Sequence, residues 1–106
     1  MFNLFKNKNE KTEYKFQDPE NTACIVCIHV FDRERPILSV THDLDDGCWQ
    51  FLCGQDDHDE TTAKVISLKE ATEIDHSIND LFEMPTGIGA DRKTINDKWE
   101  PYKLED

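Results

Sequence analysis

The chain is expected to fold as an α+β domain, a small antiparallel sheet formed as an N-terminal β-meander followed by short helices that pack on it. Two patterns predict this. Four short apolar segments separated by Asp- and Gly-containing turns occupy residues 23–66, and apolar residues at helical spacing with capping signals follow them. A third observation bounds the size: 106 residues suit one domain with a modest core.

The elements follow in order. Residues 1–20, MFNLFKNKNEKTEYKFQDPE, are rich in Lys and Asn and are expected to form a flexible arm, with Tyr14 and Phe16 packing on a single domain spanning 21–106. Apolar residues precede the Lys in this segment, the reverse of a signal peptide. The run ACIVCIHVF at 23–31 contains several β-branched residues and is read as a strand buried on both faces. After the polar turn at Asp32, Arg33, Glu34 and Arg35, residues 36–42 form a second strand that starts on Pro36 and pairs with the first as a hairpin. A turn at 43–47 leads to CWQFLC at 48–53, where Trp49, Phe51 and Cys53 face one way and Cys48, Gln50 and Leu52 the other. The loop at 54–62 precedes a fourth strand at 63–66.

Ser67 with Glu70 three residues on is a capping box, so a helix opens there. Asp75 caps a second short helix carrying Ile78, Leu81 and Phe82, and Pro85 ends it. Gly87 and Gly89 are read as an irregular turn, with Trp99, Pro101 and Tyr102 closing over an edge of the core.

Twelve Lys and Arg stand against twenty-three Asp and Glu, a net charge of −11. Such a chain repels phosphate, which argues against nucleic acid and anionic membrane surfaces as partners. The excess is uneven: residues 36–63 hold Asp43, Asp45, Asp46, Asp56, Asp57, Asp59 and Glu60 and no Lys or Arg. These two clusters flank the strand bearing Trp49 and Phe51, and strand geometry sets them about 20 Å apart. With Trp49 they are the candidate partner-binding residues, for a basic protein steered electrostatically. Solubility alone is the competing reading.

Four cysteines, Cys24, Cys27, Cys48 and Cys53, have spacings close to a zinc ribbon. In strands, residues three or five apart point to opposite faces, so buried reduced thiols in a cytoplasmic protein are the expectation. Cys27 and His29 face the same way on a strand, which permits a thiolate–imidazole couple. Asp43, Asp46, His58 and Asp59 could form a mixed metal site, but neither cluster meets the EF-hand pattern and solvated loops are preferred. His76 is expected to face water. No nucleophile elbow, phosphate loop or metalloprotease helix is present. The expectation is a non-enzymatic protein-binding domain that needs no cofactor or metal, with a metal- or thiol-dependent activity of the His and Cys residues as the alternative.

The stretches HVFDRERPILSVTHDLDDGCWQFLCG (29–54) and AKVISLKEATEIDHSINDLFEMPTGIGADR (63–92) resemble a family of small bacterial proteins of unknown function and are similar to its immunity-protein-33-like group. Asp45, Asp46, Gly47, Trp49, Phe51, Gly54, Pro85 and Gly87 match its motif, Asp75 to Ile78 match its helix start and Arg92 follows, over about residues 24–100. His76 stands where the family often has Pro, and Cys48 and Cys53 flank the Trp segment. The resemblance implies an α+β fold, a cytoplasmic setting and, for the immunity-like branch, neutralisation of a toxin by direct binding. It carries over no catalytic residue.

Overall fold

In the computed structural model, which describes residues 14–57 and 60–105, one mixed sheet organises the chain. Its strands are β1 (Ala23–Val26), β2 (Ser39–His42), β3 (Trp49–Leu52), β4 (Lys64–Ser67), β5 (Ile88–Asp91) and β6 (Glu100–Lys103), in the spatial order β4-β1-β3-β2-β5-β6. Helix α1 (Ile28–Phe31) follows β1 and helix α2 (Leu68–Ile74) follows β4, with 3-10 segments at Glu60–Thr62 and His76–Leu81. The fold is α+β as expected, but helices interleave with the strands, and the expected meander followed by helices is not what forms.

Three departures explain the difference. The apolar run at 23–31 is not one strand. β1 ends at Val26, Cys27 takes an extended conformation and the chain turns into α1, where Val30 is fully buried. Hydrophobicity there reports burial, which one helical turn satisfies as well as a strand. Because β1 ends early, it makes no hairpin with β2. It pairs instead in parallel with β3 (Val26 opposite Phe51) and antiparallel with β4 (Cys24 opposite Ile66). Of the first three strands, β2 and β3 are the ones that form a hairpin, with Val40 opposite Phe51. Finally, residues 88–91 are a strand, not an irregular turn: β5 pairs with β2, and β6 pairs with β5. The end of the Tyr102 ring lies over Gly89 in β5, 2.7 Å from where a Cβ would stand, so a larger residue there would push the ring aside.

One face of the sheet carries the core. Cys24, Val26, Val40, Phe51 and Ile66 are buried there with Leu68, Ala71 and Ile78 from the helical layer. The opposite face is open in places, with Val65 71% exposed, as antiparallel sheets allow. The strand alternation expected for residues 49–53 is observed: Trp49, Phe51 and Cys53 are buried, and Gln50 and Leu52 are not. Phe16 inserts into the core edge-on to Trp49 at 4.9 Å between ring centroids, with Tyr14 packed beside it. The Lys15 N–H also donates to Asn79 Oδ1, which ties this segment to the 3-10 helix. The remainder of the expected arm, residues 1–13, lies outside the described residues.

Both expected N-caps form, but the second helix is a 3-10 segment that ends at Leu81, short of Pro85. The Ser67 hydroxyl accepts from the Glu70 N–H, and Asp75 Oδ1 accepts from the Ser77 N–H at the start of the 3-10 helix. His76 is exposed. No helix among the described residues is long and apolar enough to cross a membrane.

Burial sets a pH dependence. Desolvation, with smaller contributions from Cys48 and Glu70, pushes the Cys24 thiol up from 9.0 to about 12. Desolvation and then Asp18 push the Tyr14 phenol from 10.0 to about 12. Both groups keep their protons more tightly folded than unfolded. Their contribution is therefore complete below pH 9, where the unfolded thiol begins to ionise, and is lost as pH rises towards 12. Urea denaturation at a series of pH values is expected to show a plateau from neutral pH to pH 9 and a decline above it. Stability that holds constant to pH 11 would contradict this.

Candidate functional sites at two ends of the sheet

The two acidic clusters end up at opposite ends of β3, and their chemistry differs. At its start, Asp43 and Cys48 close the β2–β3 turn through the Asp43 N–H to the Cys48 carbonyl, 2.8 Å, and Gly47 adopts φ +70°. Asp43 accepts from the Gln50 amide and Asp46 from the Cys48 N–H, so two carboxylates are held in place by the turn itself. Asp45 and Asp46 are exposed, and Leu44 between them and Asp43 is 59% exposed. The turn borders a groove of about 650 Å³ lined by Leu44, Ile88 and Leu104 together with Asp43, Asp45, Asp46 and Glu105, against one cation, Lys103. An exposed leucine among acids is the composition of a polar-rimmed contact surface.

Trp49 plays a different part from the one expected. It is 2% exposed, donates its indole N–H to Asp18 at 3.2 Å and stacks on the His42 ring at 3.8 Å. His42 in turn uses Nδ1 to donate to the Met84 carbonyl at 2.8 Å, a bond whose acceptor fixes the tautomer. Trp49 therefore belongs to the core under the turn, and His42 is a clamp between β2 and the chain after the 3-10 helix.

At the other end of β3, Asp57 grips Arg35 in a two-pronged ion pair, Nη1 to Oδ1 at 2.8 Å and Nη2 to Oδ2 at 2.7 Å. That bond first, and then Cys53, holds the guanidinium above its ordinary range. The Asp57 charge is thus matched within the chain. Asp56 is exposed, Glu60 opens a 3-10 segment, and Asp59, like His58, lies outside the described residues.

Arg35 also marks a group of side chains that the sequence did not bring together. Parallel pairing of β1 with β3 sets the carboxyl ends of the two strands side by side. Cys27, just past β1, and Cys53, just past β3, are both 1% exposed, and His29, half-buried, stands on the first turn of α1. Both sulfurs and a ring nitrogen of His29 lie within 4.8 Å of one another. The chain wraps over this corner: the His29 carbonyl accepts from the Glu34 and Arg35 N–H groups, and Arg33 takes φ 60° to make the bend. Arg35 Nη1 then lies 3.4 Å from His29 Nδ1 and 3.7 Å from Cys53 Sγ.

The four-cysteine site does not form. Cys24 and Cys48 sit at the amino ends of the same strand pair, away from Cys27 and Cys53, and both thiols are raised, chiefly by burial. All four cysteines are free thiols. The expectation of a shared strand face for Cys27 and His29 was right about proximity and wrong about cause, since α1 and not a strand aligns them. Cys53 was the missing member, and only the non-local parallel pairing supplies it. No protein-family model, curated protein or solved structure matches this chain.

Proposed function

We propose that this chain is a non-enzymatic protein-binding domain that uses the turn at residues 43–46 to dock a basic partner, acting in the cytoplasm of a bacterium. The observation that carries the reading is the acidic turn with Leu44 exposed at its apex beside an acid-lined groove. Among the described residues, Lys103 is the one cation lining the groove beside this cluster, whereas Asp57 of the other cluster is occupied by Arg35. The apolar side chain supplies area to bury and the carboxylates supply orientation and a fast encounter with positive charge. The resemblance in the Gly47-x-Trp49-x-Phe51 and Pro85-x-Gly87 segments favours a toxin domain as the partner, neutralised by direct binding.

Co-expression tests this. With a basic toxin encoded beside its gene, the chain is expected to restore growth, and Asp43→Asn, Asp45→Asn and Asp46→Asn together are expected to abolish rescue. Asn keeps the shape and the turn hydrogen bonds, so circular dichroism and the melting temperature stay close to wild type. Rescue that survives the triple substitution would sink the docking surface.

A further inference from the structure

We propose that Cys27, His29 and Cys53 form a site for one zinc-class divalent cation, which enters by displacing Arg35. The site is independent of the acidic turn, which lies at the other end of β3, so either can fail without the other.

The donor set is the first argument. Two thiols and an imidazole suit zinc and similar soft-to-borderline ions and disfavour magnesium or calcium. Metal–sulfur and metal–nitrogen bonds of about 2.3 and 2.0 Å place tetrahedral donors roughly 3.5–3.8 Å apart. The present spread of up to 4.8 Å closes to that with side-chain rotations of an ångström or so. Three protein donors leave a fourth position for solvent, the arrangement of an open site.

Arg35 is the second argument. A guanidinium has donors only, so where Nη1 meets His29 Nδ1, that nitrogen must present its lone pair. Cys53 Sγ accepts from the same Nη1. Two donor atoms of the group, from separate elements, therefore lie against one cationic group that a metal ion would have to displace. Packing alone accounts for buried cysteines, but it does not account for an imidazole and a guanidinium turned onto one of them. Arg35 can leave without unfolding the backbone, because its side chain is 31% exposed and its carboxylate partner Asp57 is 57% exposed. Cys27 makes no capping hydrogen bond with its side chain at the start of α1, so its thiol is not committed there.

Binding converts two thiols to thiolates, and one proton from each goes to solvent. Uptake therefore weakens as pH falls.

The test is titration of the full-length, reduced chain with Zn²⁺ and with Co²⁺ after chelator treatment. Native mass spectrometry is expected to show one metal per chain. Co²⁺ is expected to give a thiolate-to-metal charge-transfer absorption with the visible bands of a tetrahedral ion. His29→Ala is expected to lose stoichiometric binding, Arg35→Ala to bind more tightly because the competing cation is gone, and Cys24→Ser and Cys48→Ser to bind as wild type. His29 and Arg35 are not in the buried core, so these two variants decide the matter even if Cys27→Ser or Cys53→Ser unfolds. Absence of the charge-transfer band in the reduced chain would overturn the site. So would binding unchanged in His29→Ala.

Discussion

Arg92→Ala is expected to lower the unfolding free energy by about 3–5 kcal/mol, the range for removing one partner of a buried ion pair. The Arg92 side chain is 2% exposed and that of Asp75 19%. Its Nη2 donates to Asp75 Oδ2 at 2.7 Å and, with Nε, to the buried Ile37 carbonyl at 2.9 and 3.1 Å, while Nη1 donates to Ser77 Oγ at 3.0 Å. Ser77 Oγ in turn donates to Asp75 Oδ1 at 2.6 Å, so one guanidinium joins β5, the segment before β2 and the 3-10 helix. Trp99 covers it, with the guanidinium carbon 4.0 Å from the ring centroid. Removal strands the Asp75 carboxylate and the Ile37 carbonyl together. Lysine is not expected to rescue, because a single ammonium cannot reproduce the planar fork that reaches acceptors on two segments. Asp75→Asn, which keeps the cap and the contact but drops the charge, is expected to cost less. Urea denaturation checks the order; an Arg92→Ala variant within 1 kcal/mol of wild type would contradict it.

Trp49→Ala is expected to cost a comparable amount, about 3–5 kcal/mol. The indole lies parallel to the Phe51 ring at 6.1 Å, edge-on to Phe16 at 4.9 Å and flat on His42 at 3.8 Å. Its removal opens a cavity where β3, β2 and the Phe16 segment meet, and it deprives Asp18 of its donor. Domains of this size hold on the order of 5–15 kcal/mol in total, so this variant and Arg92→Ala should both be partly unfolded well below the wild-type melting temperature. Trp49→Phe is expected to recover much of the loss. The readout separates a core role from a contact role: partner affinity of the folded fraction of Trp49→Phe should be close to wild type, whereas a surface anchor would lose affinity with stability intact.

Which elements could be read from sequence follows from where their information lies. β3 and both N-caps are specified locally, by alternation at residues 49–53 and by Ser67 and Asp75, and they form as expected, whereas β2 starts at Ser39 and not on Pro36 and β4 is shifted by one residue to Lys64–Ser67. β5 is Ile88-Gly89-Ala90-Asp91, with two small residues of low strand propensity. It becomes a strand because it pairs with β2 on one side, Val40 opposite Ala90, and with β6 on the other, Gly89 opposite Tyr102. β6 carries Pro101 and is exposed at every position, features an edge strand tolerates. Neither leaves an apolar pattern to read. The Cys27, His29 and Cys53 corner was hidden for a similar reason: it depends on β1 and β3 being parallel neighbours with β2 outside them, a pairing that no local spacing encodes. The acidic turn was legible because seven acids and no Lys or Arg fall within residues 36–63. What the sequence could not express was the division of labour between the clusters, which rests on one contact, Arg35 with Asp57.

The most direct test of the proposed docking surface is the affinity of the chain for a candidate basic toxin domain, titrated at low and high salt with wild type, with the Asp43→Asn, Asp45→Asn, Asp46→Asn triple variant and with Asp56→Asn. Affinity that falls with salt in the wild type, weakens at least roughly tenfold in the triple variant through a slower encounter and stays unchanged in Asp56→Asn is the predicted result. Equal, salt-independent affinity for all three proteins would contradict it.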